Sequence, residues 1–198
     1  VIATASGALG AAIGVVTNVI TTDHSTGVVV TGTSTDKSSL TGTSVSVDAD
    51  AKEGISSLLI AASGAQYAAV SASVNVNRQL SDVSAAVDQT EVLGSFAQNA
   101  NYLGRITTSA ITAAGSQYAA VPISVVINYA DNAVSSSVAH SILRAEGQSA
   151  SVGANRISEF SSLNVTASGA MYGAAAGLVN VNTIEGATSA KVNDSEVK

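Results

Sequence analysis

The sequence predicts an all-β chain wound as a parallel β-solenoid from four related repeats. The first observation is a recurrence. Residues 62–77 return without a gap as residues 5–20, 113–128 and 167–182, and their shared glycines Gly7, Gly64, Gly115 and Gly169 lie 57, 51 and 54 residues apart. The second is composition: 11% of residues are charged, 4% are aromatic and Trp is absent, while Ala, Ser, Thr, Val, Gly and Asn fill most positions. Such small side chains suit a thin core enclosed largely by backbone. The third is a period of two in segments rich in β-branched residues, the pattern of a pleated strand with one face inward. Together these predict a single segment over 1–198, with repeats at about 1–57, 58–108, 109–162 and 163–198, the last incomplete.

Each repeat opens on a strand that leads into its glycine. Leu58, Ile60 and Ala62 alternate before Gly64, and Leu163, Val165 and Ala167 do the same before Gly169. The glycine is expected to mark a turn, where a left-handed or crowded backbone favours a residue without a Cβ. A second strand follows, in which Val74 and Val76 alternate with Asn75 and Asn77. Hydrophobicity places the valines inside and asparagines at corners. A third strand, 83–87, aligns with 134–138, 188–192 and 26–30.

The rest of each repeat varies in length and holds further short strands and turns, among them Glu146–Gly147. Residues 82–96 admit a surface helix as an alternative, although Val83, Val87 and Phe96 fit one only loosely. An antiparallel sandwich or propeller is the other all-β reading, but Asn-Gly and Asp-Gly hairpin signals are absent. At the usual strand spacing of about 4.8 Å, two or three coils per repeat give about eight to ten in all. Pro122 aligns with Gly14, Ser71 and Ala176. Since proline cannot donate to a ladder, a bulge or corner is expected there.

The Ala-Ser-Gly-Ala motif, the Val-Asn-Val-Asn strand and the later Thr-Ser-Ala-Lys-Val-Asn-Asp-Ser-Glu-Val resemble the repeats of large bacterial exoproteins, the leukotoxin-type and filamentous-haemagglutinin-like adhesins. That resemblance implies a right-handed β-helix, an extracellular or cell-surface location, and a role in adhesion, aggregation or toxicity. It supplies no catalytic residues. It makes a rigid stalk, filament or adhesive surface the expected function. The alternatives are a self-assembling filament subunit, a fragment of a toxin passenger and, less favoured, a polysaccharide lyase.

Charge narrows the partners. A net charge of −6 with scattered basic residues argues against nucleic acid. No apolar run is long enough for a membrane-spanning helix. With no cysteine there is neither a disulfide framework nor a thiolate metal site. Neither end shows a capping unit, which predicts a piece of a longer array. Expected partners are other copies or flanking segments joined end to end, and a host-cell glycan or protein.

Candidate chemistry is sparse. Asp23-His24-Ser25 holds the residue types of a hydrolase triad, but neighbours on a strand point to opposite faces. His140 aligns with no other histidine, and the two histidines lack a third metal ligand. Asp23, Asp131 and Glu185 share one column, broken by Leu80, and Asp48 and Asp50 share a strand face near Glu53. Hard oxygen donors of this kind can hold calcium; the expectation is otherwise no cofactor, no metal site and no catalytic residue. Tyr67, Tyr118 and Tyr172 form a column with Gly10 in the first repeat. Their rings could stack on sugars or on a partner, or cover the Ala-rich coil beside them.

Overall fold

Alternating β-branched and small residues form strands of unusual length in the computed structural model, which describes residues 1–145 and 147–198. Among the described residues the elements are β1 (Ile2–Ala8), β2 (Ala11–Thr31), β3 (Ser38–Ala65), β4 (Ala68–Asp88), β5 (Thr90–Ser116), β6 (Ala119–Ala139), β7 (Ile142–Arg144), β8 (Ala150–Gly169), β9 (Gly173–Ala174), β10 (Gly177–Glu185), β11 (Thr188–Asn193) and β12 (Glu196–Val197). Every pairing is parallel. One sheet runs β1-β3-β5-β7-β12, with β8 also on β5; the other contains β2, β4, β6 and β10, with β9 and β11 also on β6. The chain passes from one sheet to the other at each corner, so it is a parallel β-solenoid of two facing layers.

The register joins like to like. Gly7 pairs with Gly64, Gly64 with Gly115, and Gly115 with Gly169. Val83 pairs with Val134, which pairs with Thr188. Each repeat is therefore one coil, not two or three. The expected eight to ten coils reduce to about four levels, because β3, β4, β5 and β6 run 28, 21, 27 and 21 residues, far beyond the usual strand of about 5–6. The Val-Asn segment and the Val-x-x-x-Val segment are likewise one strand, β4. No helix occupies residues 82–96: the chain leaves β4 at Asp88 and enters β5 at Thr90.

The expected inward face is reversed along part of β4. Ser71, Ser73, Asn75 and Asn77 are fully buried, whereas Val74 and Val76 lie on the outer face and are only partly covered. Burying an amide is tolerable only when its donors and acceptors are paired, and stacking supplies that. Asn77 Nδ2 donates to Asn128 Oδ1 at 2.8 Å, and Asn128 Nδ2 donates to Asn182 Oδ1 at 2.8 Å. Other bonds cross between sheets: Asn75 donates to Ser57 at 2.7 Å, Asn77 to Thr108 at 2.9 Å, and Ser73 shares a proton with Thr112 at 2.7 Å. In the first coil the residue paired with Asn77 is Ile20. Asn77 Oδ1 accordingly has no partner.

Apolar packing takes over further along the coil. Val47, Val87, Val92, Phe96, Val138 and Leu143 form a cluster near the second corner. That corner needs a left-handed residue, and Gln89, His140 and Asp194 supply it with φ of 48°, 48° and 45°. A hydroxyl follows each one. Thr90, Ser141 and Ser195 donate back to the carbonyls of Asp88, Ala139 and Asn193 at 2.9, 2.6 and 2.7 Å. Two of these hydroxyls also accept from the neighbouring coil, through Thr90 N at 3.1 Å and Ser141 N at 3.2 Å.

The motif glycines are not the turns. Gly7, Gly64, Gly115 and Gly169 lie inside strands, none has a positive φ, and a Cβ on Gly115 or Gly169 would meet nothing within 4 Å. The corner comes later, at Gln66-Tyr67 and its equivalents. Nor is Pro122 a corner or a bulge. It is buried at the fourth residue of β6, in register with Ser71, and its missing N–H shows instead opposite, where the fourth coil is interrupted between Ala174 and Gly177. Of the Glu146–Gly147 turn, Glu146 lies outside the described residues and Gly147 has φ 81°.

Candidate functional site

The tyrosine column stands at the first corner. Successive coils place Tyr67 over Gly10 and Tyr118 over Tyr67, held by backbone bonds from Tyr67 N to Gly10 O at 3.0 Å and from Gln117 N to Gln66 O at 3.0 Å. The rings stack on each other. Tyr67 and Tyr118 have centroids 5.4 Å apart with planes 14° apart, and Tyr118 and Tyr172 are 5.1 Å and 12°. All three are exposed, at 55%, 44% and 73%.

This geometry limits what the column can bind. Both faces of Tyr118 are occupied by its neighbours, so a planar or sugar ring can stack only at an open end of the column. One such end is the face of Tyr67 toward Gly10, where a Cβ would meet nothing within 4 Å. Elsewhere the column offers ring edges and hydroxyls. The rings stack on one another, an arrangement beside the two the sequence suggested.

The acidic residues do not converge. Asp23, Asp131 and Glu185 share a register with Leu80, as their spacing predicts. Tyr129 Oη donates to Glu185 at 3.0 Å, and the bond raises the tyrosine pKa. Asp48 and Asp50 lie on the outer face, where Asn99 and Asn101 of the next coil donate to them at 2.9 and 2.7 Å. Hydrogen bonds from Ser46 and then Asn99 lower the Asp48 pKa. Glu53 is on the opposite, inner face, and accepts from Ser81 at 2.7 Å. A calcium cage from Asp48, Asp50 and Glu53 is thereby excluded by strand parity. Among the described residues no group of three or more His, Asp or Glu side chains could hold a metal ion.

The histidines are also accounted for. His24 Nε2 lies 2.9 Å from Thr26 Oγ1 in the exposed first coil. His140 sits between two carboxylates of adjacent coils, with Nδ1 2.9 Å from Asp88 and Nε2 3.8 Å from Asp194. It belongs to the left-handed corner column described above.

Sequence reasoning missed an internal cluster midway along the coil. Tyr102 lies 2% exposed beside Gly104, whose missing Cβ leaves room for the phenol: a Cβ there would stand 2.5 Å from Tyr102 Oη and 2.7 Å from Gln79 Oε1. Burial, with Glu53 nearby, pushes the Tyr102 pKa up to about 12. The pairing of a buried tyrosine with a glycine two residues on was the available signal. No protein-family model, no curated protein and no solved structure matches the chain.

Proposed function

We propose that this chain is a structural, adhesive segment of a bacterial surface or secreted β-helical exoprotein, a rigid stalk or filament that works without catalysis. The observation that carries the reading is the parallel register that stacks each repeat on the next from the first coil to the fourth. A body built by repeating one coil gains length and stiffness from backbone ladders, not from any single site. Its side chains form rows along the axis: tyrosines at one corner, asparagines inside, acids with amide donors outside.

A self-assembling filament subunit is the second reading. It is favoured by the parallel stacking itself, since any coil can pair its backbone with a like coil of another copy. The tyrosine column is the surface proposed to meet a host-cell glycan or protein. Beads coated with the purified chain should adhere to host cells, and the triple variant Tyr67→Ala, Tyr118→Ala, Tyr172→Ala should lose that adhesion while keeping its circular dichroism. No adhesion by the parent chain, together with turnover of a polysaccharide, would replace this reading with an enzymatic one.

A further inference from the structure

The outer face of the β2-β4-β6-β10 sheet is apolar where the interior beneath it is polar. Positions 68, 70, 72, 74 and 76 point outward, as do their partners in the other three coils. None of them is charged, and Thr17 is the one polar side chain. The exposure is substantial: Ile13 is 69% exposed, Val19 65%, Ile123 41% and Val179 49%. Isolated exposed apolar residues need no explanation, but a contiguous field of them marks an interaction surface.

We propose that this face docks a second copy of the same chain, sheet against sheet, about a twofold axis that runs along the solenoid axis over position 72. Area supports a protein partner of this kind. Nine residues at about 3.3 Å by four coils at about 4.8 Å make a flat field of roughly 570 Å². Two such fields bury roughly 1,100 Å², just above the roughly 1,000 Å² expected of a specific interface. A row spacing set by coil stacking is matched row for row by a second copy of the same sheet.

Charge selects the orientation. Position 78 begins the polar part of the face with Arg78, and position 80 carries Asp23, Asp131 and Glu185. If the copies paired with their strands pointing the same way, those carboxylate rows would face each other. With strands antiparallel about position 72, position 80 falls opposite position 64, which lies beyond the Gln66-Tyr67 corner and so past the end of the partner's outer face. Arg78 then meets the partner's corner near the tyrosine column, whose ring faces and edges suit a guanidinium. For a chain of net charge −6, that arrangement keeps the two acidic halves apart. Lipid is the poorer occupant, since open sheet edges are not tolerated in hydrocarbon.

Sedimentation velocity of the purified chain from about 1 to about 100 µM tests the pairing, in the affinity range a small interface reaches. The wild type is expected to dimerise, and Val125→Lys to weaken dimerisation at least about tenfold, the effect of burying an unpaired charge. Val165→Lys, on the other sheet, should leave it unchanged. Because the chain has no cysteine, Ala72→Cys should crosslink between copies through a short bis-maleimide, and Ser84→Cys should not. A wild type that stays monomeric throughout, association that Val125→Lys does not weaken, crosslinking at Ser84→Cys in place of Ala72→Cys, or a monomer that binds phosphatidylcholine vesicles would each overturn the proposal.

Discussion

Asn77 and Asn128 lie 51 residues apart in sequence and 2.8 Å apart in space, amide to amide, inside the solenoid. Thr108 ties the pair to the opposite sheet, accepting from Asn77 at 2.9 Å and donating to Asn128 at 2.9 Å. One coil is thus bonded to the next and one sheet to the other at a single point. A row of amides can do this because each carries both a donor and an acceptor.

Removing the middle amide should therefore cost more than its apolar volume. Asn128→Ala leaves Asn77, Asn182 and Thr108 each short of a partner, and a loss of about 2–4 kcal/mol is expected from orphaned buried polar groups. Asn128→Asp should cost more, about 3–5 kcal/mol, because no cation compensates the buried charge. Urea unfolding of the two variants beside the parent measures both. Equal stability of all three would show that these side chains face solvent.

Two glycines with opposite surroundings give a paired test. At Gly104 an added methyl collides with the buried Tyr102 hydroxyl and Gln79, so Gly104→Ala should destabilise by about 1–3 kcal/mol through overpacking. At Gly115 the same methyl meets open space and an ordinary backbone. Gly115→Ala should be neutral or raise stability by about 0.4–1 kcal/mol through the unfolded state. Thermal melts that reversed this order would contradict the placement of the two residues.

Tyr102 predicts an alkaline limit. Its pKa is raised from the ordinary 10.0 to about 12 in the folded chain, so folding favours the neutral phenol. That contribution is complete below pH 10 and is lost as pH rises toward 12. Each unit of difference corresponds to about 1.4 kcal/mol, so a loss on the order of 2–3 kcal/mol is expected over that interval. Tyr102→Phe should flatten the decline in a pH series of urea midpoints. An identical decline in the variant would assign it to other groups.

The stacked corner should have a spectroscopic signature. Tyr118→Ala breaks both ring pairs at once, each worth about 0.5–1.5 kcal/mol beyond burial. The near-ultraviolet circular dichroism of the tyrosines should fall far more than the single lost ring accounts for. A change proportional to one tyrosine would mean that the rings do not stack in solution.

That Gly7, Gly64, Gly115 and Gly169 share one column was legible in the sequence, because ungapped copies of one motif place equivalent residues at equivalent points of the coil; that each repeat is a single coil was not. The inward face was legible too, but only from the whole strand. Arg78 and Asp82 share the parity of Val74 and Val76, whereas Val83 and Val87 share that of Asn75 and Asn77. Read as one strand of 21 residues, the charges mark the outside and put the asparagines in. Read as two short strands, each local Val-Asn alternation defaults to valine inside. The tyrosine column was visible as a column, but its stacking depended on coils one strand spacing apart, which followed only once each repeat was a single coil. The Glu53 cluster was misplaced by the same parity, since Glu53 is an odd number of residues from Asp48 and Asp50.

The central claim is that each repeat is one coil, and a disulfide tests it most directly. Val74 and Val125 pair across adjacent coils on the outer face, and parallel neighbours about 4.8 Å apart lie within the Cα separation that a disulfide spans. In the double variant Val74→Cys, Val125→Cys, mild oxidation should form an intrachain disulfide at near-complete yield in the folded chain, read by thiol titration and non-reducing electrophoresis. With two or three coils per repeat these positions would stand at least about 9.6 Å apart, too far to bridge. Free thiols after oxidation of a folded chain would contradict the one-coil solenoid.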